Sequence, residues 1–302
     1  MKKIIFLFLV AVVLTLSGCS KSFDFEADQD SKEFGNTYTP QPTEDTSKND
    51  NDPEIDDEPS QIAEQVVYDD SGYKITITGF DQSSGLDITL LIENNSDASI
   101  VVIPEYCIVN GYTVDASMYT EIAPGKKAND SVSISETSVN LSGIGKFTDI
   151  QLSFIIQDDS WDTLLTTGPI NLETSNSGKY TQEYDDSGSI IYQDDHVNIV
   201  SQGLLEYSSG APDLIVYMYN GYDFPIMVQT RDFSANGFMV DVGFSPVIQP
   251  KTHMVDTISL FESSLEDNGI DSVTDMEFSV VIYNETEFEV ITESEPVALS
   301  VQ

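Results

Sequence analysis

A repeated unit is the feature that most limits how this chain can fold. Four segments of the sequence recur later in the chain, and all of them do so at a constant offset of 126 residues. The matched segments are 87–94 with 213–220, 109–115 with 235–241, 122–126 with 248–252, and 149–156 with 275–282. Solenoid repeats are only about 20–50 residues long, so a period of this length indicates tandem globular domains. We therefore predict two homologous domains, 66–175 and 189–302, joined by a polar linker at 176–188.

Both units show the alternation that is typical of β-strands. Ile88, Leu90 and Ile92 alternate with residues that would point to the opposite face of a strand. Gly, Asn, Asp and Pro separate one short strand-like segment from the next. This pattern predicts an all-β protein made of two tandem antiparallel β-sandwiches. We expect one helical turn in the second unit, opened by Ser263 and closed by Gly269.

The two cysteines exclude stabilisation of the domains by disulfides. Cys19 belongs to an N-terminal targeting segment described below, which leaves Cys107 without a partner in the chain. Each domain must then be held together by its own hydrophobic core. Cys107 lies in an apolar context, and we predict a buried small side chain, with a reactive thiol as the alternative.

The N-terminus has the layout of an export signal. Lys2 and Lys3 precede an apolar run at 4–16, which is too short to span a bilayer comfortably. The following Leu-Ser-Gly-Cys sequence, ending at Cys19, resembles the lipobox of bacterial lipoproteins. The resemblance implies a signal peptide at 1–18, acylation of Cys19, and anchoring on the outer face of the cell membrane. An ordinary secretory signal without acylation is the alternative.

Residues 19–65 are predicted to form a disordered acidic tether, because they are rich in Asp, Glu, Ser, Thr and Pro and poor in aliphatic residues. Removal of residues 1–18 would leave 10 basic and 52 acidic side chains. A chain with this charge is repelled by nucleic acid and by anionic lipid headgroups, so both are poor candidate partners, and we expect no nucleic-acid ligand. We expect the tether to hold the folded domains away from the membrane.

Several motifs are similar to those of uncharacterised Gram-positive surface lipoproteins with tandem immunoglobulin-like domains of unknown function. The motifs are Ile-Glu-Asn-Asn-Ser-Asp at 92–97, Asn-Gly-Tyr-Thr-Val-Asp at 110–115, Pro-Gly-Lys-Lys-Ala-Asn-Asp at 124–130 and Asp-Asp-Ser-Trp-Asp at 158–162. The second unit departs from the pattern, since its segment 250–254 lacks the glycine and 285–289 lacks the tryptophan. The resemblance implies an extracytoplasmic immunoglobulin-like fold and transfers no catalytic residue.

No catalytic or metal centre is predicted from the residue pattern. His196 and His253 occupy non-equivalent positions in the two repeats and have no partner at metal-ligand spacing. Paired carboxylates are common, and we interpret them as solvated turn residues. Two of them could serve a glycoside hydrolase, and loop carboxylates could bind calcium, so both remain alternatives. The pairs are Asp69-Asp70, Asp158-Asp159, Asp185-Asp186 and Asp194-Asp195.

The candidate partner surface comes from a comparison of the two repeats. If Leu214 faces the core of the second repeat, the outer face carries Ile215, Tyr217 and Tyr219, to which we add Tyr283. Aromatic side chains are enriched at interfaces. This face either binds a partner or packs on the first domain or under a loop. We expect a non-enzymatic, membrane-anchored module that displays a surface to a protein or a glycan, with an extracytoplasmic hydrolase and a ligand-free envelope spacer as the alternatives.

Overall fold

The computed structural model describes residues 59–207 and 210–300, and this part of the chain is all-β. The predicted signal peptide, Cys19 and the tether up to residue 58 lie outside the described residues. Within the described residues, no helix has the length and apolar character needed to cross a bilayer.

The first repeat contains strands β1–β11 and the short helix α1, which lies between β8 and β9. Their bounds are β1 (Gln65–Asp70), β2 (Tyr73–Asp81), β3 (Asp87–Asn94), β4 (Ile100–Val109), β5 (Tyr112–Val114), β6 (Ala116–Ser117), β7 (Thr120–Ile122), β8 (Lys127–Ile134), α1 (Glu136–Leu141), β9 (Asp149–Gln157), β10 (Thr163–Thr166) and β11 (Ile170–Glu173).

The second repeat contains strands β12–β22 and the helix α2 in the same order. Their bounds are β12 (Ser189–Gln193), β13 (Val197–Leu205), β14 (Asp213–Asn220), β15 (Ile226–Ala235), β16 (Phe238–Met239), β17 (Val242–Gly243), β18 (Val247–Ile248), β19 (His253–Leu260), α2 (Glu262–Asp267), β20 (Asp275–Asn284), β21 (Glu289–Glu293) and β22 (Val297–Ser300).

Each repeat is a β-sandwich of two sheets, and the strand order is the same in both. In the first repeat, one sheet has the order β1-β2-β3-β8-β6, and the other has β10-β9-β4-β5, with β7 on β4 and β11 on β9. The second repeat has β12-β13-β14-β19-β17 and β21-β20-β15-β16, with β18 on β15 and β22 on β20. Strand pairs within each repeat are antiparallel, which confirms the predicted fold class.

Alternating residues of the strands fill two separate hydrophobic cores. On β3, Ile88, Leu90 and Ile92 are fully buried in the core of the first repeat. On β14, Leu214 and its alternating neighbours, including Met218, occupy the core of the second repeat. Burial of each such aliphatic side chain contributes about 1.5–3 kcal/mol, so these faces supply the main stabilisation of both sandwiches.

Buried asparagine side chains show that the repeats match residue by residue. The amide of Asn94 donates hydrogen bonds to the carbonyl oxygens of Ala98 and Ile122, at 2.8 and 2.9 Å. Asn220, at the end of the equivalent strand 126 residues later, makes the same contacts at 2.9 and 3.0 Å. Because each buried amide bridges two loop carbonyl oxygens, these side chains hold the adjoining loops in place.

The Asn-Gly pairs form hairpin turns. Asn110 and Gly111 both have positive φ, at +49° and +83°, and Asn236 and Gly237 have +50° and +79°. Two consecutive residues with positive φ are the requirement of a type I′ turn, which Asn-Gly satisfies at little steric cost.

The helices differ in part from the sequence prediction. α2 begins after Phe261, which makes no capping hydrogen bond through its side chain, so Ser263 does not open the helix. Gly269 follows its end with φ +66°, as expected for a helix terminus. The equivalent helix α1 was not predicted; its cap is Ser135, whose Oγ accepts a hydrogen bond from the Ser138 amide.

Residues before the predicted boundary at residue 66 already pack into the first repeat. Ser60 and Ile62 are buried, and Ile62 forms a β-bridge with Thr174. The segment 176–188 begins with a packed residue, since Asn176 is buried and donates to the Ser60 hydroxyl at 2.7 Å. The predicted tether and linker therefore each contribute residues to the folded domains.

Candidate functional site

The predicted aromatic surface of the second repeat packs against the first repeat. Ile215 and Tyr217 are only 5% and 2% exposed, and they belong to the hydrophobic cluster of the first repeat. Tyr219 is half-buried against the same cluster. Of the two alternatives for this face, these three side chains therefore pack on the first repeat. Ile215 and Tyr217 are not accessible to a partner. Tyr283 does not join them, because it lies on β20 in the other sheet.

His253 lies at the centre of this contact. Its ring stacks on Tyr184 with a centroid separation of 3.7 Å and an interplanar angle of 14°. Nδ1 is joined to the Tyr217 hydroxyl by a hydrogen bond of 2.6 Å, and the Tyr219 ring lies 4.8 Å away. Burial lowers the pKa of His253 to about 4 and raises that of Tyr217, so both groups are neutral at pH 7. The ring therefore acts as a packing element between the repeats.

The backbone continues one sheet across the two repeats. β5 of the first repeat and β19 of the second form a single parallel pair, and the His253 amide donates to the Gly111 carbonyl at 2.9 Å. Beside it, the buried hydroxyls of Thr113 and Thr252 are hydrogen-bonded at 2.7 Å. The Tyr184 hydroxyl, from the linker, donates to the Asn110 carbonyl at 3.0 Å. Hydrogen bonds, ring stacking and apolar burial together couple the two sandwiches.

A groove of about 800 Å³ lies between the repeats. No described residue that lines it is basic, and its charged residues are Glu105, Asp115, Asp256 and Glu285. Burial raises the pKa of Asp256 to about 6, and repulsion from Asp115 acts in the same direction. None of the four predicted aspartate pairs lines this groove; they lie on separate turns and strand ends. The groove is thus an acidic cleft that residue spacing did not reveal.

The two repeats differ in the exposure of one equivalent strand. In the first repeat, Tyr112 and Thr113 of β5 are only 1% and 6% exposed, because the second repeat covers them. Their counterparts on β16, Phe238 and Met239, are 50% and 62% exposed. The Asn-Gly motif that precedes both strands shows in the sequence that the strands are equivalent. The difference in exposure depends on the docking of the repeats.

The remaining sequence predictions fall on separate elements. Cys107 is 1% exposed, and burial raises the pKa of its thiol to about 12, which confirms the buried interpretation. His196 lies in the β12–β13 turn, with its ring 4.6 Å from Tyr222. Within 59–207 and 210–300, no three His, Cys, Asp or Glu residues are grouped so that they could hold a metal ion. The sequence prediction of no cofactor, with calcium binding as its alternative, stays a prediction.

Comparison with known proteins adds no functional information. No protein family matches the chain, and no curated protein matches it. Among solved structures, the crystal structure of the YadV chaperone is 10% identical, covering 70% of this chain and 92% of its own, with a TM-score of 0.23. A protein of unknown function from Porphyromonas gingivalis W83 is 10% identical, covering 81% and 100%, with a TM-score of 0.21. Likenesses this low carry no argument.

Proposed function

We propose that this protein is a lipid-anchored, extracytoplasmic binding or display module that performs no catalysis. In this proposal, acylated Cys19 holds the chain to the membrane, the acidic segment after it acts as a spacer, and two immunoglobulin-like sandwiches carry the binding surface. Each buried acyl methylene contributes about 0.8 kcal/mol, so two or more acyl chains on Cys19 would anchor the protein stably.

The open β16 edge is the observation that carries the binding function. Phe238 and Met239 are exposed on an edge whose counterpart in the first repeat is occupied by another sandwich. An open sheet edge offers unpaired backbone groups to an added strand, and exposed apolar side chains add affinity. The equivalent edge of the first repeat shows how such a partner can bind. There, β5 forms one parallel pair with β19, flanked by a side-chain hydrogen bond and by aromatic packing. We therefore take the partner to be a protein that presents a sheet edge, rather than a glycan.

Surface plasmon resonance against proteins secreted by the same organism and against cell-wall glycans tests this function. We expect a protein ligand whose binding is abolished by Phe238→Asp, because a charged residue would interrupt the apolar edge. Phe288→Asp is the matched control, since Phe288 is 73% exposed in another hairpin of the same repeat and should be replaceable without loss. Binding only to glycans, or protein binding unaffected by Phe238→Asp, would contradict the proposal.

Hydrolysis in the acidic groove is a second candidate function. Asp256 has a pKa raised to about 6 and lies near the carboxylate of Asp115, an arrangement that can provide a general acid and a base. Release of reducing ends from cell-wall polysaccharide, abolished by Asp256→Asn without loss of the folded state, would favour this function over the first. An unchanged rate in the variant would eliminate Asp256 as the acid.

A further inference from the structure

Two exposed aromatic side chains meet at one end of the first repeat. Tyr119 precedes β7 and is 56% exposed, and Trp161 lies in the hairpin between β9 and β10 and is 62% exposed. Their ring centroids are 6.1 Å apart, and the ring planes are inclined by 42°. The two rings thus form an open wedge instead of a flat platform. Neither side chain contributes to the hydrophobic core.

The hairpin turn holds the indole in this position. Trp161 has φ +67°, a left-handed conformation that is uncommon for a bulky residue. The Asp158 side chain supports it by accepting hydrogen bonds from the amides of Ser160 and Asp162, at 2.9 and 3.0 Å. The Trp161 amide in turn donates to the Asp158 carbonyl at 3.1 Å. The turn therefore presents a large apolar ring to solvent, a costly arrangement that favours a binding role.

Carboxylates surround the wedge. The pocket beside the rings has a volume of about 130 Å³, and Glu121, Asp158 and Asp159 line it together with Tyr119 and Trp161. No described residue that lines this pocket is basic. The faces of aromatic rings carry negative electrostatic potential, so the rings and the carboxylates attract the same kind of ligand. The charge complementarity is with a cation.

We propose that this pocket binds a quaternary ammonium group. Such a cation is weakly hydrated and carries methyl groups that can contact both inclined rings, and aromatic walls are the usual means of recognising it. A primary ammonium is compact and strongly hydrated, so an exposed wedge gives it less advantage. A sugar ring stacks best on a flat aromatic surface, which the angle between Tyr119 and Trp161 does not provide. The site goes beyond the binding edge on β16, which lies in the other repeat.

The second repeat does not carry the equivalent pair of residues. Ser245 and Val247 stand where the first repeat has Tyr119 and Glu121. Its hairpin has one exposed aromatic residue with positive φ, Phe288, and no aromatic ring of the residues that the structure describes pairs with it. The binding of a cation by this means is therefore specific to the first repeat, and Phe288 provides an internal control.

Trp161 is the only tryptophan in the chain, so tryptophan fluorescence of the intact protein reports on this pocket alone. We expect choline chloride, titrated at constant ionic strength, to change the fluorescence with saturation and a dissociation constant of about 1 mM. The neutral isostere 3,3-dimethylbutanol should give no saturable change at the same concentrations. Because exposed charges contribute, the choline affinity should fall as the ionic strength is raised.

Variants separate the contributions of the rings and the charges. Tyr119→Ala should weaken choline binding about fivefold, whereas Tyr119→Phe should retain it, because the ring and not the hydroxyl contacts the cation. Glu121→Gln should weaken binding about twofold and reduce its salt dependence. Phe288→Ala should leave the titration unchanged, and circular dichroism should show that every variant is folded.

Four results would overturn the proposal. They are the absence of a saturable response to choline, an equal response to 3,3-dimethylbutanol, tighter binding of the primary ammonium of N-acetyl-lysine amide, and tighter binding of N-acetylglucosamine. The second result would indicate a purely apolar pocket, and the last two would indicate a different ligand class. If choline does not bind in this way, the proposed binding function of the β16 edge is unaffected. That edge is tested by separate variants and with a protein ligand.

Discussion

The charge state of His253 makes the contact between the repeats sensitive to pH. Burial lowers its pKa from the ordinary value of 6.5 to about 4, so the folded protein favours the neutral ring. Its contribution to stability is therefore complete above about pH 6.5 and is lost as the pH falls towards 4. Each pKa unit corresponds to about 1.4 kcal/mol, which amounts to about 2 kcal/mol between pH 7 and pH 5 for a fully buried ring. Solvent around this half-buried ring reduces the expected loss to about 1 kcal/mol.

His253→Asn tests this reasoning through urea unfolding at pH 7 and pH 5. The variant keeps a hydrogen-bonding group near Tyr217 but removes the ring that stacks on Tyr184, so at pH 7 it should be less stable by about 1–2 kcal/mol. At pH 5 the difference from the wild type should shrink by about 1 kcal/mol. The histidine of the unfolded wild type is then protonated, which stabilises the unfolded state, whereas the asparagine of the variant takes up no proton. Lys127→Asn, at the equivalent position of the first repeat, is the control and should show a small difference that does not change with pH.

A difference between His253→Asn and the wild type that stays constant between pH 7 and pH 5 would refute the argument. Asp256 also titrates in this range, with a pKa raised to about 6, and it contributes in the opposite direction because its burial disfavours the charged form. Asp256 is present in both proteins, so comparing them at each pH removes its contribution. A difference that grows on acidification would likewise contradict the assigned sign.

Two further outcomes follow from the buried groups. Asn220→Ala should lower the free energy of unfolding by about 2–4 kcal/mol, because it removes the hydrogen bonds that the buried amide donates to the loop carbonyl oxygens. Asn94→Ala should have a similar effect through the equivalent contacts. Equilibrium urea unfolding checks both variants, and an effect below about 0.5 kcal/mol would contradict the role given to these side chains. Cys107 should resist a thiol-labelling reagent in the native protein and react only in urea, because its thiol is buried and has a pKa of about 12; labelling of the native protein at the rate of the unfolded chain would show that the thiol is accessible.

Much of each sandwich could be predicted from the sequence, because the relevant signals are local. The two-residue alternation of Ile88 and its neighbours placed them in a core, and the Asn-Gly pairs predicted hairpins from their tolerance of positive φ. Signals that depend on distant partners were missed. Ser60 and Ile62 lie in a polar context, and only their pairing with residues near Thr174 places them in the fold. Helix α1 is a single short segment, whose formation depends on packing more than on propensity.

The candidate site shows the same division. Comparison of the repeats identified Ile215 and Tyr217 as an apolar outer face, and it also left packing on the first repeat as an open possibility. The tertiary structure decided between these alternatives by burying both side chains. It also placed the acidic groove, to which Asp115 and Asp256 contribute from different repeats. Residue spacing within one repeat contains no information about which residues of the two repeats come together.

The sequence by itself determined that two copies of one all-β unit follow each other, because period, alternation and turn residues are properties of neighbouring positions. It could not determine which of two equivalent edges is closed. Tyr112 and Phe238 follow the same Asn-Gly turn, yet the first is 1% exposed and the second 50%. The difference arises because the first repeat has a following sandwich docked on its edge, through a stacked His253 and a single parallel strand pair. Such docking depends on the shapes of two folded bodies, which exist only after both have formed.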